Sequence, residues 1–177
     1  IGKLLIWDGC DSAAWDKLYK VKLFKGRRYP FGVLHEDLNF TSKLFSESNK
    51  IVLTGMPLYN YLIRENSICN KPFTTQKFDI YEQAKLNCQF VRDTYKELEE
   101  KAKYFLFRCT CTLLQSASDA AQISEKDLKR VKELARTQLS TAILNRFVPL
   151  GERKYYFELL YKAVSYTHLR AHETLRH

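Results

Sequence analysis

An apolar stripe in the second half of the chain most constrains its fold: Ile80, Ala84, Cys88, Val91, Tyr95, Leu98, Ala102 and Phe105 step by four and three. That spacing puts all eight on one side of an α-helix and predicts a single long helix over the stretch. Phe105 to Leu114 is apolar enough to continue it or to form a second, buried helix. Ser124-Glu125-Lys126-Asp127 resembles a capping box with Asp in the place of the usual Glu, and Leu128, Val131, Leu134, Ala135, Leu139 and Ala142 follow on one face. Pro149-Leu150-Gly151 breaks the chain before a last basic, aromatic helix expected from Glu152 to about Val164.

The first half is punctuated differently. Leu4-Leu5-Ile6-Trp7 reads as the end of an element, turned by Asp8-Gly9-Cys10-Asp11-Ser12. The stretch from Ala14 to Phe24 mixes a short buried segment with a helical turn and stops at Lys25-Gly26. In Tyr29-Pro30-Phe31-Gly32-Val33-Leu34-His35-Glu36-Asp37, Pro30 and Gly32 favour a turn. Leu38, Thr41, Leu44 and Phe45 then share a helix face, so a helix runs from Glu36 to about Ser48. Lys50-Ile51-Val52-Leu53-Thr54 reads as a strand, Gly55-Met56-Pro57 as a turn, and Leu58 to Arg64 as a second strand. Short strands flanked by helices predict the edge of an α/β sheet.

Glu36 and Asp37 carry two readings at this stage. A carboxylate at a helix N-terminus caps free backbone N–H groups and is favoured ionised by the helix dipole. Two adjacent carboxylates also raise one another's pKa, which suits one of them to proton transfer.

Composition narrows the class. With 45% hydrophobic and 14% aromatic residues the chain is globular rather than disordered, and 177 residues can bury a core. No run approaches the roughly 18 apolar residues of a membrane span, and no signal peptide opens the chain. It begins at Ile1 without Met and is expected to be cut from a longer protein. Five cysteines, with Cys109 and Cys111 too close for a usual zinc pair, fit reduced thiols in a cytoplasmic protein. The net charge of +9 raises nucleic acid or anionic membrane as partners. The cations alternate with apolar and acidic neighbours, and no nucleic-acid recognition signature accompanies them, so nucleic acid is not expected.

Residues 165–177 hold three of the four histidines, His168, His172 and His177, without Cys or acidic co-ligands in register. The stretch resembles translated sequencing-adaptor sequence and is set aside as a non-native tail.

Five motifs occur in register: Ala14-Trp15-Asp16-Lys17-Leu18-Tyr19-Lys20, Tyr29-Pro30-Phe31-Gly32, Glu36-Asp37, Lys50-Ile51-Val52 with Pro57-Leu58-Tyr59-Asn60-Tyr61, and Arg64-Glu65-Asn66-Ser67-Ile68. In this order and spacing the chain resembles the C-terminal half of bacterial family-2 glycosyltransferases. Two departures stand out: Asp16 where the family often has Asn, and Leu62 where it often has a basic residue. The resemblance implies a partial GT-A fold over residues 1–70, followed by a helical extension over 71–164. It also implies an inverting enzyme that moves a sugar from a nucleotide-sugar donor to the hydroxyl of a saccharide or lipid-linked acceptor, in cell-surface polysaccharide synthesis.

By the same resemblance Asp37 is the general base, and Glu36 orients it or binds acceptor. Arg64 and Lys17 meet the departing nucleoside diphosphate, Trp15 and Tyr19 line the sugar site, and His35 contacts acceptor. The divalent metal (Mg or Mn) of such enzymes sits on an Asp-X-Asp motif that this stretch lacks, Asp8-Gly9-Cys10-Asp11 having the wrong spacing, so the fragment is expected to be inactive alone. The expected location is cytoplasmic, and the cationic and aromatic last helix carries two readings: peripheral contact with the inner membrane, or packing of its aromatics on the preceding helix. The competing reading is a basic helical module that binds anionic membrane or nucleic acid, with Glu36-Asp37 only a cap.

Overall fold

A computed structural model of the chain describes residues 1–62 and 72–174, with the side chains of the last helix described through residue 163. The α-helices are α1 (Gly2–Leu5), α2 (Asp37–Ser46), α3 (Asp79–Thr94), α4 (Glu99–Ser118), α5 (Glu125–Arg136), α6 (Leu139–Leu144) and α7 (Leu150–Thr174). Short 3-10 turns stand at Val21–Phe24, Thr75–Phe78 and Lys96–Leu98.

The expected α/β fold is not what forms: among the described residues there is no strand. Residues 50–62 take no regular secondary structure, and every one of them is solvent-exposed, Ile51, Val52, Leu53 and Leu58 included. A β-branched run only favours a pleated surface; a strand also needs a neighbour to take its backbone hydrogen bonds, and among the described residues no strand pairs with this segment. The end of the second expected strand, with Arg64, lies outside the described residues.

The single long helix expected from the apolar stripe is two helices. α3 stops at Thr94, whose hydroxyl donates back to the Phe90 carbonyl (2.8 Å), and Tyr95 leaves helical geometry at φ −138°, ψ 74°. After the 3-10 turn, Glu99 and Glu100 open α4, where carboxylates suit the positive end of the helix. The turns at both ends of α3 touch α4, so α4 runs back along the whole of α3. Spacing alone does not separate the two outcomes, because a hairpin buries the same residues as a straight helix would, each half against the other.

That hairpin is the centre of the core. Phe105, Phe107, Leu113 and Leu114 of α4 are all at most 1% exposed, and each contributes roughly 1.5–3 kcal/mol by leaving water. α2 packs on α3, and α1 packs on α4 with Gly2 so close to Leu98 that a Cβ there would meet its side chain at 3.3 Å. α5 starts where its sequence predicts: the Ser124 hydroxyl accepts from the Asp127 N–H (3.0 Å). Asp127, one methylene shorter than Glu, bonds the Ser124 hydroxyl (2.7 Å) instead of reaching the cap's backbone N–H.

α7 returns across the bundle and presents Tyr156, Leu159 and Ala163 to the core, with the Tyr156 hydroxyl donating to the Ala135 carbonyl (2.6 Å). Arg153 turns inward to the chain end of α6 and donates to the carbonyls of Ile143, Asn145 (2.9 Å) and Val148 (3.0 Å). The helical backbone continues past the expected stop near Val164 to Thr174. No described helix is long and apolar enough to cross a membrane.

Candidate functional site

The site is built on α2 and the loops laid over it. Thr41, fully buried on α2, donates to the Ser12 carbonyl (2.8 Å) and so pins the Asp8–Ser12 turn to the helix. Asp11 then accepts the Ala13 N–H (2.8 Å) in an Asx-type turn that delivers Trp15 and Lys17. Further along, Phe40 of α2 collects Tyr29 (ring centroids 4.3 Å) and Phe24 (5.9 Å), and Phe24 meets the edge of Tyr19 (5.5 Å). These rings fix the loop before Pro30, and Gly32 turns it at φ +74°, a left-handed geometry that a side chain resists. The Leu34 N–H donates to Asp79 of α3 (2.9 Å), and His35, itself at φ +57°, swings the chain into α2.

The acidic pair sits at that entry. Glu36 occupies the N-cap position with helical backbone angles and makes no side-chain capping bond. Asp37, the first helical residue, is partly buried; that burial first, and the Glu36 carboxylate second, push its pKa up from 3.8 to about 6. Lys17 opposes the shift from nearby without cancelling it. Of the two readings the sequence offered, a carboxylate held ionised by the helix end and an adjacent pair that raises one pKa, the shift has the sign of the second, with burial as the larger cause. His35 is pushed the other way: burial, then Lys77, lowers its pKa, so the imidazole is neutral at pH 7.

Lys17 reaches Asp16 (2.5 Å), Asp11 (3.2 Å) and the Ala13 carbonyl (2.6 Å). Its ammonium spends its hydrogens within the loop, on two carboxylates and a carbonyl. Tyr19 and Tyr29 bury their hydroxyls near each other and near Thr41 without good hydrogen-bond geometry, and burial raises both, Tyr29 to about 12.

A cleft of about 720 Å³ opens between this loop and residues 50–59, lined by Trp15, Lys17 and Tyr19 among others, a size suited to a small-molecule ligand. Trp15 lies against Tyr59 (4.6 Å), which also lines the cleft, and against Tyr61 (5.1 Å), and all three rings are exposed. The sequence reading named Trp15 and missed its two partners. The signal was present in Tyr59 and Tyr61, two aromatic residues close together in the Pro57–Tyr61 motif.

Of the sequence-derived site residues, the structure gathers Trp15 and Lys17 in the cleft, and Glu36, Asp37 and His35 at the start of α2 beyond its lining. Arg64 lies outside the described residues. The described residues do not fit a divalent metal: no three His, Cys, Asp or Glu side chains come together, and Asp11 and Asp16 are already shared with Lys17.

No family model matches the chain, and no solved structure does. Over 56 residues, 32% of its length, the chain is 39% identical to Glycosyltransferase GlyA of Streptococcus pneumoniae. The matched stretch is 8% of that protein, so the chain spans a small part of the relative it matches. Over that stretch the chain is related to a glycosyltransferase.

Proposed function

We propose that this chain is the acceptor-side segment of an inverting, family-2 bacterial glycosyltransferase. The enzyme moves a sugar from a nucleotide-sugar donor to the hydroxyl of a saccharide or lipid-linked acceptor in cell-surface polysaccharide synthesis. Beside the partial likeness to a glycosyltransferase, the observation that carries the reading is Asp37: a carboxylate at a helix start, with its pKa raised to about 6. An alcohol is a weak nucleophile at neutral pH, and a base titrating near 6 is ionised there yet basic enough to take its proton. Asp37 removes the acceptor proton while the oxygen attacks the anomeric carbon from the face opposite the leaving nucleoside diphosphate, which inverts that centre. Glu36 raises the basicity of Asp37, Lys17 holds the Trp15 loop in shape, and His35 aims the pair. Arg64 meets the departing diphosphate, for which a guanidinium offers paired donors.

The test is Asp37→Asn in the longer enzyme that carries this segment. Transfer should fall roughly 10²–10⁴-fold with donor affinity kept, since the amide has the carboxylate's shape but accepts no proton. Near-native transfer removes Asp37 from the chemistry.

A membrane-proximal, cytoplasmic location is the second reading, favoured by α7. Leu150, Lys154, Phe157 and Tyr161 recur at helical spacing and are all exposed, on the side away from buried Tyr156 and Leu159. Co-sedimentation with anionic but not neutral vesicles, reversed by salt, is the expected result. Equal behaviour with both vesicle types assigns the stripe to solvent.

A further inference from the structure

A second, smaller pocket of about 300 Å³ opens where Trp7 meets α4 and α7. Trp7 is held at φ +53°, a backbone geometry that bulky residues rarely adopt, and its indole stays 38% exposed. The Arg108 guanidinium stacks on that ring at 3.7 Å, and Phe105 meets it edge-on at 6.4 Å. The polar wall is also fixed in place. Glu152 accepts the Tyr104 hydroxyl (3.0 Å) and lies 3.9 Å from Arg108. Tyr155 donates its hydroxyl to the Gln115 amide oxygen, which leaves the amide nitrogen as the atom still able to donate.

The lining selects among ligand classes. Glu152 and Asp119 outnumber Arg108, whose charge already faces Glu152 and the Trp7 ring, so an anion meets net repulsion. A cation would have to compete with Arg108, which already takes the Trp7 ring face and lies 3.9 Å from Glu152. A purely apolar ligand would strand the two carboxylates and the Gln115 amide away from water. A neutral, hydroxyl-rich molecule satisfies them all: its hydroxyls donate to carboxylates and accept from the amide, and its C–H face lies on an aromatic ring.

We infer that this pocket is a subsite for a neutral saccharide, at which Trp7, Gln115 and Glu152 hold a sugar unit of the acceptor. Its role as acceptor subsite rests on the proposed glycosyl transfer; the sugar binding does not. The two sites adjoin through one turn. Trp7 lines this pocket while Gly9 and Cys10 line the larger cleft, so about 7 Å of chain joins the two walls. An oligosaccharide seated at Trp7 would have its next units directed along that turn.

The chain has two tryptophans, so an ¹⁵N-labelled sample of the 177-residue protein shows two indole N–H signals, assigned with Trp15→Phe. Glucose, galactose, N-acetylglucosamine and lactose are titrated separately, with uridine diphosphate as the anionic control. The expected result is a saturable shift of the Trp7 signal with at least one sugar and none with the diphosphate. Gln115→Ala should weaken that binding about tenfold, the loss of one good hydrogen bond, with the amide spectrum otherwise unchanged. No Trp7 shift with any of the four sugars overturns the subsite, as does an equal shift with diphosphate or unaltered affinity in Gln115→Ala. A Trp7 shift together with full transfer by Asp37→Asn would sink the catalytic reading and leave the sugar site standing. The reverse pair of results would do the opposite.

Discussion

The helices from Asp79 onward bury a continuous apolar interior, whereas between Ile6 and Asp37 only Ser12 is fully buried. The second region is nonetheless ordered, by a few contacts made far apart in sequence: Thr41 to the Ser12 carbonyl, Asp79 to the Leu34 N–H, and the rings of Tyr19, Phe24, Tyr29 and Phe40. The helical part is a scaffold whose stability is spread over many side chains. The loop part is positioned by a few contacts to the helices; the Trp7 pocket lies where the two regions meet, whereas the larger cleft opens between the loop and residues 45–59. Opening free energies should accordingly be high across α3 and α4 and low across residues 8–35.

The largest effect should come from the scaffold. Phe105 is 1% exposed and also supports Trp7, so Phe105→Ala removes a core ring and should cost about 3–5 kcal/mol. Denaturant melts read by far-ultraviolet circular dichroism check it; a loss confined to the loops would erase the distinction between the two regions.

Arg153 comes next. Its three donations to the Ile143, Asn145 and Val148 carbonyls close α6 onto α7, and Arg153→Ala should cost about 2 kcal/mol by leaving those acceptors unpaired. Arg153→Lys should recover only part of this, because one ammonium does not span the fork. Equal stability of the alanine variant and the parent would show that water replaces the arginine.

His35 probes the loop side. At φ +57° its backbone suits Asn and opposes a β-branched residue. His35→Val should therefore lose about 1–2 kcal/mol more than His35→Asn, and the loss should appear first as faster amide exchange around Leu34 and Asp37 rather than in α4. Matched exchange in the two variants would mean that the left-handed turn is not what aims the acidic pair.

The contrast between the regions also explains what the sequence disclosed. Helices α2 and α5 were legible because burial on one face imposes a period, α7 because Pro149-Leu150-Gly151 marks the break before it, and the Ser124 cap because its chemistry is local. The break at Tyr95 was not, since the stripe through Val91, Tyr95 and Leu98 continues across the hairpin. The strands were misread because Ile51, Val52 and Leu53 have the composition of a strand, while strand formation depends on partners that composition does not report. Motif order singled out Glu36-Asp37. The raised pKa of Asp37 depends on which loops cover it, a consequence of contacts over long sequence separations such as Ser12 to Thr41. The Trp7 pocket gave no local signal, being assembled from three separate stretches of chain.

The smallest effect, and the sharpest for the site, concerns pH. The pKa of Asp37 is about 6 folded and near 3.8 unfolded, so between those values the folded protein binds more protons than the unfolded one. The stability that a protonated Asp37 confers is present below about pH 4 and is lost as pH rises through 6. Partial exposure screens the effect, which should amount to about 1 kcal/mol. Asp37→Asn keeps the shape and removes the charge, so it should flatten this component of the pH profile and leave the variant slightly more stable than the parent at pH 7.5. A helix cap predicts the reverse sign, since losing a capping carboxylate costs roughly 0.5–2 kcal/mol at neutral pH. Melting temperatures of the two proteins at pH 4.5 and 7.5 decide between them. If Asp37→Asn is the less stable at pH 7.5, the carboxylate belongs to the helix end, and the catalytic reading loses the observation that carries it.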